Sequence, residues 1–104
     1  MDSELYRIFI DDDGTPIEDV LKKCELELSK QIVKRICNAI KEGKANVEIA
    51  KIITPHQVIT LRASEPLYLQ TLEINKETLI EYQEFEICAE AQRFINMLSQ
   101  KKIS

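Results

Sequence analysis

The residues best suited to nucleophilic or metal chemistry are three cysteines, Cys24, Cys37 and Cys88, and a single histidine, His56. A thiol beside an imidazole can become a nucleophile, and a zinc ion needs several His or Cys ligands. The spacing favours neither. The cysteine count is odd and no two cysteines lie within four residues, so there is no Cys-x-x-Cys knuckle and no disulfide framework. These cysteines are expected to act as small apolar residues in a reducing compartment. Cys88 adjoins an apolar stripe, which predicts burial and a raised pKa rather than activation.

The run Asp11-Asp12-Asp13-Gly14 has the composition of a calcium loop but not its spacing. With Asp11 as the first position, Gly14 falls fourth and Lys22 twelfth, where an EF-hand loop requires glycine sixth and a bidentate glutamate twelfth. Gly14 and Gly43 are the only glycines, too few for a phosphate loop that brings backbone close to a nucleotide at several points. No catalytic residues, cofactor or metal are therefore expected, and the chain is not expected to be an enzyme.

Charge is the more informative chemistry. Lys and Arg total 14 and Asp and Glu 18, a net charge of −4, which disfavours a general nucleic-acid binder. The negative charge is concentrated. Residues 65–90 hold seven glutamates against the single Lys76, a formal −6 that leaves +2 for the remainder. Glu73, Glu77, Glu81, Glu84 and Glu86 are the candidate partner-binding residues, able to steer a basic protein. The alternative is a nucleic-acid-binding module using Lys23, Lys30, Lys34 and Lys41 on one face of the first helix, with Arg35 and Lys44 nearby.

These charges need elements to carry them. Residues 5–10 alternate with both faces largely apolar, which predicts a strand inside a sheet. Thr15-Pro16-Ile17-Glu18 has the form of a capping box with proline at the first helical position, and Gly43 is a matching stop. One helix over 16–42 is expected, with a kink near Glu25, which interrupts its apolar face. Leu28, Ile32 and Ile36 are its candidate core residues. Residues 45–53 and 57–63 read as a hairpin turning at Thr54-Pro55-His56. Val47, Ile49 and Ile53 are placed on one face of its first strand.

After a break at Ser64-Glu65-Pro66, residues 67–74 are expected as a third consecutive strand. The spacing of Ile87, Ala91, Phe94, Ile95 and Leu98 predicts a helix over about 85–100. Residues 77–84 separate poorly at either period and read as an extension of that helix capped by Asn75 or, alternatively, as a strand. The order β-α-β-β-(β)-α implies one α+β domain over 1–104. It would be a two-layer sandwich, an antiparallel sheet of three or four strands with two helices on one face.

No apolar run is long enough to span a bilayer, and the opening residues lack the basic and apolar pattern of a leader. A cytoplasmic protein-interaction or regulatory module is expected. Its partner would be a protein, such as a basic target that it inhibits, and a homodimer is a further option.

Overall fold

The computed structural model describes residues 5–11 and 13–103. Over these residues the chain is α+β, with a three-stranded mixed sheet and four helices. In order these are β1 (Tyr6–Phe9), α1 (Ile17–Lys23), α2 (Glu25–Glu42), β2 (Asn46–Ile53), β3 (Val58–Ser64), α3 (Glu65–Glu81) and α4 (Phe85–Ile103).

The expected long helix is present but bent. Cys24 (φ −93°, ψ 0°) separates α1 from α2. The hydrogen-bond ladder continues past it, since the Cys24 N–H reaches the carbonyls of Val20 and Leu21 and Leu28 donates to the Cys24 carbonyl. Gly43 ends α2 at φ 71°, the left-handed geometry that a side chain resists. The capping box does not form: Pro16 occupies the cap position without a side-chain bond. The Thr15 N–H instead donates to Asp13 Oδ1 at 3.0 Å. That bond is the main reason the Asp13 carboxyl titrates below the usual aspartate range. Asp12, the middle residue of the acidic turn, lies outside the described residues.

The expected all-antiparallel sheet is corrected. The strand order is β1-β2-β3, with β1 parallel to β2 and β2 antiparallel to β3. β1 is thus an edge strand despite its two apolar faces. Only its helix-facing side is covered, with Ile8 and Ile10 buried and Phe9 exposed.

A bulge between Glu48 and Ala50 inserts one residue into β2 and shifts its alternation. Val47 and Ile53 therefore fall on opposite faces. The helix-facing side carries Tyr6, Ile8, Val47, Ala50, Ile52, Ile59, Leu61 and Ala63, as the register requires.

The largest correction concerns 67–74, which are helical. Leu67 and Leu69 are spaced as in a strand, but Tyr68, Leu72 and Leu79 are the residues buried, at helical spacing. Leucine favours helix over strand. Pro66 sits in the first turn of α3, where its missing N–H costs nothing. Asn75 caps nothing and donates to the Thr71 carbonyl within α3. Residues 82–84 separate α3 from α4, with Gln83 at φ 60°.

There are consequently four helices rather than two. The core joins Val33, Ile36, Cys37 and Ala39 of α2 to Ile49, Ala50 and Ala63 of the sheet. It continues into Tyr68, Leu72 and Leu79 of α3 and Cys88, Ala91, Phe94 and Ile95 of α4. Leu28, Ile32 and Ile87 are only partly buried at its margin. The buried face of α2 is turned toward Ser29, Val33 and Cys37, because α3 and α4 pack on it as well as the sheet.

Candidate interaction surface

α3 sits between the sheet and α4, with its buried side defined by Tyr68, Leu72 and Leu79. Glu73, Glu77 and Glu81, spaced at four residues, stand on the opposite, exposed side. Among the described residues no cation pairs with any of the three. Leu67 (51% exposed) and Ile74 (57%) flank this row, so the outward face of α3 is both acidic and apolar. Glu86 is exposed in the first turn of α4. Glu84, in the turn before α4, does not join the free row, because it pairs with Lys30 Nζ at 3.1 Å.

The lysine row has a different fate. Lys30 is held by Glu84, and Lys41 lies 4.0 Å from Glu90 and over the Phe94 ring at 5.6 Å. Lys23 is on α1, beyond the bend at Cys24, and lines a cleft. Lys34 is exposed on α2. The four lysines do not form one uncommitted basic face.

Cys37 and Cys88 are placed as small core residues. Cys37 is fully buried, and burial pushes its pKa up to about 12. Burial also raises Cys88, whose Sγ faces the Lys76 carbonyl at 3.6 Å. Cys24 is half-buried. Its side-chain interaction with Tyr6 is the main cause that pushes the Tyr6 hydroxyl up to about 12.

His56 is exposed in the β2–β3 turn, where its main-chain N–H donates to Thr54 Oγ1. Cys37 and Cys88, by contrast, are buried on α2 and α4. An open cleft of about 260 Å³ lies between the end of β1 and α1, lined by Phe9, Asp11, Asp13, Thr15, Val20, Lys23 and Cys24. Among the described residues, no group of three or more His, Cys, Asp or Glu is placed to hold a metal ion. Among the described residues, no helix is long and apolar enough to cross a membrane.

One surface escaped the sequence reading. The side of the sheet away from the helices carries three rows, fixed by the register. Phe9, Ile53 and Val58 form an apolar row, Arg7, Lys51 and Thr60 a cationic one, and Glu48 and Arg62 an ion pair at 3.2 Å. Only the strand order and the bulge reveal these rows, because their members are scattered over more than fifty positions of the chain.

The chain matches no family model, no curated protein and no solved structure.

Proposed function

We propose that the protein is a non-catalytic interaction module of a reducing, cytoplasmic compartment. It engages a basic protein through the outward face of α3 and regulates that partner by occupying its cationic surface. The observation that carries this reading is the exposed row Glu73, Glu77 and Glu81, without cationic partners among the described residues and flanked by exposed Leu67 and Ile74. Like charges at four-residue spacing oppose the helix that bears them. A cationic partner relieves that repulsion, while the two apolar side chains give the contact an area to exclude water. Glu86 extends the negative field at the start of α4, and Glu84 contributes to it only in part because Lys30 offsets it.

The alternative, nucleic-acid binding through Lys23, Lys30, Lys34 and Lys41, has less support, since Lys30 and Lys41 face carboxylates of the helical hairpin. The test compares two charge reversals against a partner recovered by co-purification. Reversing Glu73, Glu77 and Glu81 to Lys should slow association by about 10- to 100-fold at low salt and flatten its salt dependence. Reversing Lys30 and Lys34 to Glu should change the association rate little. The opposite pattern overturns the proposal in favour of the lysine face.

A further inference from the structure

The two edges of the sheet are protected to very different degrees. β1 is four residues long and runs into the acidic turn that contains Asp11 and Asp13. β3 is seven residues, Val-Ile-Thr-Leu-Arg-Ala-Ser, with no proline, glycine or lysine. It is the type of edge that templates another strand.

The hydrogen-bond pattern shows which of its groups are available. Thr54 donates to the Gln57 carbonyl and Glu65 to the Ala45 carbonyl, while Ile10 donates to Ile53 on the other side of β2. By alternation, Ile59, Leu61 and Ala63 direct their main-chain groups to β2, and Val58, Thr60 and Arg62 direct theirs outward. Those outward groups have no partner among the described residues. Ile59 is on the helix-facing side yet 40% exposed, so the helix layer does not reach this end of β3.

We propose that β3 pairs antiparallel with β3 of a second copy about a two-fold axis at Thr60, giving one continuous six-stranded sheet. This surface is separate from the outward face of α3 and does not depend on it. In that register Thr60 meets Thr60 of the second copy, and Val58 meets Arg62 on each side. All three positions present outward-directed groups, so each matched pair exchanges two main-chain hydrogen bonds. On the helix-facing side Ile59 meets Leu61 of the second copy, which covers the exposed Ile59. Threonine pairs and apolar cross-strand pairs both favour a sheet.

Charge selects this register over its neighbour. An axis at Leu61 would set the two Arg62 side chains on a diagonal about 7–8 Å apart, whereas an axis at Thr60 keeps them about 14 Å apart along the strands. An identical strand is the occupant argued for, because its side chains are self-complementary here and no like charges face each other.

The test is sedimentation of the full chain over a concentration series, with amide hydrogen exchange on the same samples. The mass should rise from 12.0 kDa toward twice that value. The Thr60 and Arg62 amides should become protected as concentration increases, while Ile59 and Leu61, bonded to β2, stay protected throughout. Thr60→Pro removes a central N–H that the monomer does not use. Thr60→Lys sets two ammonium groups face to face at the axis and should weaken the dimer by at least about tenfold. Reversing Glu73, Glu77 and Glu81 should leave it intact.

A wild-type chain that remains at 12.0 kDa up to about 1 mM overturns the proposal. So does a dimer that Thr60→Lys does not weaken, whatever Thr60→Pro does. Concentration-dependent protection at β1 instead of β3 also overturns it.

Discussion

The lysines of α2 and the glutamates of α3 are rows of similar length on neighbouring helices, and packing treats them in opposite ways. Lys30 and Lys41 point toward the helical hairpin and meet Glu84 and Glu90. Glu73, Glu77 and Glu81 point away from it and meet no cation among the described residues. A count of charges along a chain therefore overstates what is available to a partner. The charge that remains is set by which side of each helix the core claims. Here Val33, Ile36 and Cys37 place Lys30 and Lys41 beside carboxylates of the α3–α4 hairpin, and Tyr68, Leu72 and Leu79 turn the glutamates outward.

The contrast requires both helices to be anchored by those buried residues. Ile36 and Leu72 are fully buried. Ile36→Ala and Leu72→Ala should each cost about 2–5 kcal/mol in urea unfolding. A loss below about 1 kcal/mol at either site would mean that the helix is free to rotate and that the orientation of its charged row is not fixed.

Neutral substitutions sharpen the comparison through their sign. Lys30 and Glu84 form a partly buried pair, so Lys30→Met should destabilise by up to about 1 kcal/mol. Changing Glu73, Glu77 and Glu81 to Gln should stabilise, by about 0.2–0.5 kcal/mol for each repulsive pair relieved. Thermal unfolding of the two variants at low salt reads both effects. If both substitutions destabilised, the glutamates would have a structural role and the contrast would fail.

Much of this arrangement was legible in the residues, and the gaps have identifiable causes. Gly43, the Thr54–Gln57 turn and the stripe through Ile87, Ala91 and Phe94 are strong local signals, and each lies where the spacing puts it. α3 was hidden because it is apolar on nearly every side. Leu67 and Leu69 satisfy a period of two by accident, and Pro66 resembles a break when it is a start. The parallel pairing of β1 and the bulge beside Ile49 are tertiary facts with no local signature.

The members of the acidic row could be named in advance, and so could those of the lysine row. Which row faces outward could not, because that depends on where α3 and α4 dock.

The parallel pairing of β1 also bears on how the molecule assembles in time. The β2–β3 hairpin and the α3–α4 hairpin close over short stretches of chain, but Tyr6 meets Ala50 only after α1 and α2 have been spanned. Contacts that close long loops form late and slow the search. β1 is also short and bonded along one side only, so little holds it once α1 loosens. Of the three strands, β1 is thus the last to find its place and the first to leave it. In native-state hydrogen exchange, the amides bonded between β1 and β2 should open at lower denaturant than those joining β2 to β3. Simultaneous opening would instead make the sheet one cooperative unit.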